Sequence, residues 1–290
     1  MKHLIAFILL WCGMSNSTAF CQVQEAAKPK TLAQHENGLM ASVDSMNRIA
    51  VLDERIEFCH DFIKKLSAML KEPKSFDYPF ETLSKKVHII YPEDKSFRIF
   101  NWPVEYAPAR FRYYGAIQRA DGKVFPLLDH SDKVEDLETK GLMENKNWYG
   151  QEYYRILTQK VANGQTIYFL LGVNHNNLNT SVKVLEPMTF KGDQVVFGGD
   201  YFQNGRVRKV IEYQKGAQVS FNWDAERGMV IYNVLESEVN QPKRKHTMVP
   251  NGEIDGLKWN GSQWVMQRNL VPIMKLKDGQ APVNGVIPTN

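Results

Sequence analysis

The side chains able to do chemistry fall into a few short stretches of this chain. Cys59-His60 sets a thiol beside an imidazole, the two groups of a nucleophile–base pair. Both lie in a segment of helical periodicity, where neighbours project about 100° apart and cannot hydrogen-bond to each other. Cys59 also falls on the apolar stripe of that segment, the setting of a small buried hydrophobe. Asp129-His130-Ser131-Asp132, with Glu135 and Asp136 close behind, is the richest group of potential ligands. Its carboxylates could hold a hard cation such as Ca²⁺, but the glycine-containing spacing of a calcium loop is missing, and a solvated acidic loop is the plainer reading. The seven histidines show no zinc spacing. There is no Gly-x-Ser-x-Gly elbow, phosphate loop or dinucleotide fingerprint. The sequence therefore assigns no catalytic residue and no metal ligand, and it implies no cofactor.

Two polar stretches could recognise a ligand. Asn174-His175-Asn176-Asn177-Leu178-Asn179 reads as a turn whose amides could also meet sugar hydroxyls. Trp148-Tyr149 lies outside the strand pattern, in a stretch rich in Asn and Lys, and is predicted to form an exposed stacking platform, with Asn145 and Asn147 beside it. These two rings are the predicted ligand-binding residues. The other aromatics read as core and cross-strand packing.

The chain opens like an exported protein. Lys2 supplies positive charge, Leu4 to Met14 carries no ionised group, and Ala19-Phe20-Cys21 is a small-residue site before Gln22. This is the layout of a signal peptide over residues 1–21. The apolar run is about half the roughly 20 residues a membrane span needs, so no stable span is expected. Trp11 precedes Cys12 and Phe20 precedes Cys21, which argues against lipidation. Cleavage after Cys21 leaves Cys59 alone, without an internal disulfide. The formal charge of +4 is too balanced to suggest a nucleic-acid partner. Lys243-Arg244-Lys245-His246 is the densest basic stretch and reads as a solvated loop.

Residues 22–38 lack apolar periodicity and read as a mobile leader. Residues 39–72 carry Leu39, Val43, Met46, Ile49, Leu52, Ile56, Cys59, Phe62 or Ile63, Leu66 and Met69 three or four residues apart. That spacing predicts an amphipathic helical segment, broken once, ending before Pro73. Over residues 73–290 the period shortens to two, through strands predicted at 87–91, 96–102, 111–118, 153–161, 166–173, 181–185, 207–213, 219–223 and 229–235. Ala162-Asn163-Gly164 and Asn260-Gly261 are the best hairpin turns. The fold class is mainly β: an antiparallel meander, small propeller-like or two-sheet sandwich, preceded by the helical segment.

Several blocks carry a resemblance. They are Ser75-Phe76-Asp77-Tyr78-Pro79-Phe80-Glu81-Thr82-Leu83, Asp94 to Trp102, Tyr113-Tyr114-Gly115-Ala116-Ile117-Gln118, Tyr168 to Gly172, Arg208 to Tyr213 and Pro250 to Gly256. Together they resemble a family of exported, signal-peptide-bearing proteins of diderm bacteria that carries no assigned activity. The resemblance implies an extracytoplasmic location, periplasmic or extracellular, and transfers no catalytic residue. The resulting expectation is a non-catalytic extracytoplasmic binding or assembly module, with a glycan or an envelope protein as partner. Its alternative is a carboxylate-dependent hydrolase of glycans or peptides, drawing on Asp129, Asp132 and Glu152.

Overall fold

Helical periodicity near the N-terminus resolves into two helices, α1 (Leu32–Arg48) and α2 (Leu52–Leu70). The computed structural model describes residues 31–161 and 164–271. The predicted signal peptide, the start of the leader and the turn residues Ala162 and Asn163 lie outside the described residues. Among those described, no helix is long and apolar enough to cross a membrane. Leu39, Val43 and Met46 of α1 and Cys59, Phe62, Leu66 and Met69 of α2 are buried, as the stripe predicts. At the break, Arg55 donates from Nε and Nη2 to the Ile49 carbonyl at 3.1 and 2.9 Å, supplying a partner where the helical ladder ends.

α1 begins at Leu32, inside the stretch read as a leader. The reason is Glu36. It occupies a buried slot on the apolar face, where its carboxylate accepts from Tyr78 Oη at 2.6 Å and from the backbone N–H groups of Thr82 and Leu83 at 3.0 and 2.9 Å. A charge at a core position interrupts the apolar pattern without interrupting the helix.

The strands form three antiparallel sheets. Sheet 1 is a meander of β1 (His88–Ile90), β2 (Phe97–Ala107), β3 (Arg110–Arg119) and β4 (Val124–Leu128). Sheet 2 joins β5 (Met143–Glu144), β6 (Glu152–Lys160), β7 (Thr166–Asn174), β8 (Thr180–Lys191), β9 (Gln194–Phe197) and β10 (Lys209–Gln214), in the order β5-β9-β8-β7-β6 with β10 also on β8. Sheet 3 is a second meander, β11 (Phe221–Asp224), β12 (Met229–Ser237), β13 (Met248–Trp259) and β14 (Trp264–Val271). No described sheet closes into a barrel. The expected mainly β, antiparallel architecture with a helical N-terminal segment is what forms.

Side-chain alternation sets the order of the layers. Along β2, Phe97 and Ile99 point into a core shared with Leu170, Val184 and Phe197 of sheet 2. Phe100, Trp102 and Val104 point the other way, onto the helices. Along β7, Phe169 and Leu171 face Phe221, Val230 and Trp264 of sheet 3. The stack therefore runs helices, sheet 1, sheet 2, sheet 3. With both faces covered, β7 reads as a nearly unbroken apolar run rather than an alternation.

β8 is longer than its sequence suggests, because Glu186-Pro187 looks like a stop. β10 pairs with β8 as far as Leu185, and β9 takes up the same edge at Met188. Pro187 falls in the gap between these two short strands, where no ladder bond is lost.

Candidate functional site

Trp148 and Tyr149 are not a platform. Trp148 is 0 % and Tyr149 6 % exposed, and both pack in the core between sheets 1 and 2. The polar neighbourhood misled because its polarity is spent on structure. Asn145 is itself buried and donates from Nδ2 to the Pro126 carbonyl at 2.9 Å, while its Oδ1 accepts from the Val195 N–H at 3.3 Å. It thus ties β4 of sheet 1 to β9 of sheet 2. The Trp148 indole donates to Tyr153 Oη at 2.8 Å, and that hydroxyl donates to Glu186 Oε1 at 2.6 Å.

Glu186 in turn pairs with Arg208, Oε2 to Nε at 2.8 Å, with side chains 1 % and 0 % exposed. Arg208 also donates to the carbonyls of Phe197, Gly141 and Leu137 at 3.0, 3.1 and 3.3 Å. Gly198, at φ +92°, lies so close that a Cβ there would stand 3.1 Å from Nη2. Glycine is required by both conditions. This network fills the gap along β8 and is closed to solvent. Its role is structural.

Two of the three carboxylates considered for hydrolysis, Asp129 and Glu152, are likewise engaged. Asp129 Oδ2 accepts from the Tyr113 N–H and Oδ1 from the Ser131 N–H, each at 2.8 Å. Gly150 covers it so closely that a Cβ there would lie 2.3 Å from the carboxyl. Asp129 and Asp132 share the wall of a hollow of about 260 Å³ with Arg112, His130 and Lys133. Glu152 is not in that wall. Its carboxylate meets His88 Nε2 at 3.0 Å, joining β6 to β1. The Asn174 stretch is a turn, with Asn177 Oδ1 accepting from the N–H groups of Asn179 and Thr180 at 2.8 and 3.0 Å. Among the described residues no three His, Cys, Asp or Glu side chains gather to hold a metal ion.

Cys59 is buried on α2 as a free thiol. Burial pushes its pKa up to about 11, against the opposing pull of the Trp102 and Tyr114 side chains beside it. At neutral pH it is an inert thiol rather than a nucleophile.

A markedly apolar concavity adjoins this cysteine. α2 covers the outer face of sheet 1 incompletely, leaving a trough of about 420 Å³ between Ile63, Leu66 and Leu70 of the helix and β2 to β4. A small residue makes the room. Ala116 on β3 faces the helices and lies in the floor, and Pro126 stands opposite it on β4, a sheet-edge strand that tolerates its missing N–H. Trp102 and Tyr114 form aromatic walls, stacked at 6.0 Å with an interplanar angle of 14°. His60, Ser67 and Lys71 give a thin polar rim, and Leu128, 48 % exposed, stands at the mouth. Tyr114, Leu127 and Leu128 also line the polar hollow at Asp129, so an apolar trough and a charged end share one wall. Such volume, apolar lining and sparse polar groups are the usual features of a small-molecule site.

None of the residues singled out from sequence as ligand-binding lies in this trough. The available signal was Ala116, a small residue on the helix-facing side of a strand otherwise built of large ones. No protein-family model, curated protein or solved structure matches the chain.

Proposed function

We propose that this protein is a non-catalytic binding module working outside the cytoplasm, and that it takes an apolar or amphipathic ligand in the trough between α2 and sheet 1. The observation that carries this reading is a concave, aromatic-walled apolar surface left open between α2 and sheet 1. Of the groups considered for catalysis, Asp129 and Glu152 hold structural partners, and burial keeps Cys59 protonated. The extracytoplasmic location is supported by the charged, apolar and small-residue layout of residues 1–21 and by the resemblance to exported proteins. A glycan partner loses its main support with the burial of Trp148 and Tyr149. A long-chain amphiphile, or the apolar face of an envelope protein segment, suits the trough better.

The test uses residues 22–290 and the uncharged dye N-phenyl-1-naphthylamine, with hexadecanoate as competitor. Saturable dye emission, displaced by hexadecanoate and lost in Ala116→Phe at unchanged melting temperature, is the expected result. Dye binding that survives the filled trough would refute the site. Mass spectrometry of the natively exported protein should find an N-terminus at Gln22.

A further inference from the structure

A second concavity, of about 390 Å³, lies at the junction of sheets 2 and 3 and is unlike the trough in every respect. Residues 202–206 lead into it, β10 forms one wall and β13 and β14 the other. Trp264, Met266 and Arg268 alternate along β14 and so present to one face. Trp264, with Phe202 and Leu257, makes an apolar floor, whereas Arg206, Lys209 and Arg268 all stand in the lining with no carboxylate among them.

These cations are unevenly compensated. Arg206 has Glu138 at 3.4 Å. Lys209 and Arg268 have no carboxylate oxygen within 4.0 Å among the described residues, and the Lys209 ammonium rests over the Tyr232 ring at 5.0 Å. Burial lowers the Lys209 pKa, with Glu138 opposing. The adjoining hollow, which Lys209 and Arg268 also line, carries Glu212, Glu253 and Asp255, and Asp255 accepts from the Asn269 N–H at 3.0 Å. Trp264, 1 % exposed, closes the floor, and its backbone N–H donates to the Tyr201 carbonyl at 2.8 Å.

We infer that this hollow binds a small phosphate monoester, its oxygens taken by Lys209 and Arg268 and its organic body lying on the apolar floor. Two cations lack a carboxylate partner, and a phosphate monoester carries close to two negative charges at neutral pH. A single carboxylate would leave one of them uncompensated. Arg and Lys are the usual phosphate partners, through charge-assisted hydrogen bonds. This site is independent of the trough and stands or falls separately.

The experiment titrates residues 22–290 with ribose 5-phosphate, with ribose as the neutral control, by calorimetry and tryptophan emission. Saturable binding of ribose 5-phosphate, none of ribose, and a loss of about tenfold or more in Arg268→Gln and in Lys209→Met are expected. Arg268 is exposed and has no carboxylate partner among the described residues, so its substitution should leave the fold intact. Vesicles containing phosphatidic acid form a second arm. Retention on them that is lost in Arg268→Gln, with no response to ribose 5-phosphate, would keep the phosphate site and assign it to a lipid headgroup. Absence of binding in both arms, or binding indifferent to both substitutions, would overturn the inference.

Discussion

Two fully buried arginines hold this molecule together in opposite ways. Arg208 meets a carboxylate, Glu186, as well as three carbonyls. Arg98, on the helix-facing side of β2, meets none. It donates from Nη1 to the Tyr78 carbonyl at 2.7 Å and to Tyr91 Oη at 3.0 Å, from Nη2 to the Ser75 carbonyl at 2.5 Å, and from Nε to Gln118 Oε1 at 2.9 Å. Its guanidinium lies 4.7, 4.9 and 5.4 Å from the ring centroids of Phe80, Phe100 and Phe76. Dipoles and ring faces take the place of a counter-ion there. Gln118 carries the chain onward, donating to the Leu70 carbonyl at the end of α2 at 2.9 Å. The lesson concerns what each arginine leaves behind when removed. Without Arg208 a buried carboxylate is stranded. Without Arg98 only neutral carbonyls are.

Substitutions at the two positions should therefore differ in size. Arg208→Met should destabilise by about 3–5 kcal/mol, because Glu186 is left charged and unpaired in the interior. Much of that loss should return in the double variant Glu186→Leu with Arg208→Met, read from urea denaturation midpoints. Arg98→Met should cost less, roughly 2–3 kcal/mol, the range expected for orphaned neutral acceptors. Equal costs at the two sites, or no recovery in the double variant, would show that the carboxylate is not what separates them.

Glu36 extends the comparison to a buried carboxylate without an arginine. Burial works to raise its pKa, but hydrogen bonds from Tyr78, Leu83 and Thr82 outweigh it and hold the carboxyl below its ordinary value. A group depressed in the folded state contributes stability that is present above its unfolded pKa and lost as pH falls through the folded one. Glu36→Gln should cost about 1–2 kcal/mol at pH 7. The gap from the parent protein should narrow as pH drops below about 4. A gap constant from pH 7 to pH 3 would sink this account.

The smallest effect is expected at the exposed pair joining sheets 1 and 2. The Glu152 hydrogen bond raises the His88 pKa, with burial opposing. A raised histidine contributes stability that is fully present below the unfolded value near 6.5 and is lost as pH rises through the folded one. His88 is 49 % exposed, so solvent screening limits the pair to well under about 1 kcal/mol. His88→Gln should flatten the slope of stability between about pH 6 and 8 and leave the trough's dye affinity untouched.

What could be read from the sequence follows from the same contrast between apolar pattern and buried charge. Helical spacing from Leu39 to Met69 and the strands around Phe97, Tyr113, Ile167 and Val230 were legible because apolar periodicity reports a covered face directly. Residues that stabilise by satisfying one another were not. Glu36 looked like part of a polar leader, Asn145 like an exposed amide, and Glu186 like a residue beyond a strand ending at 185, since each owes its place to partners distant in sequence. Trp148 and Tyr149 were misread for that reason: the polarity around them belongs to inter-sheet ties. The trough was hidden for another. It is made by the smallness of Ala116 beneath α2, and a missing bulk leaves little pattern to detect.

The shared edge of β8 bears on how the chain reaches this structure. β9 can close on β8 at once, through the short turn at Lys191-Gly192-Asp193, but β10 arrives only after the intervening loop has been laid down. Until then Glu186 has no guanidinium to meet, and the central sheet is open along half of one side. The flanking meanders need only sequence neighbours to form, so the slow, long-range step belongs to the middle of the stack. Docking of Arg208 then seals that sheet late. Weakening it should accelerate unfolding far more than it slows folding, so the protein's lifetime, more than its rate of formation, depends on this one residue.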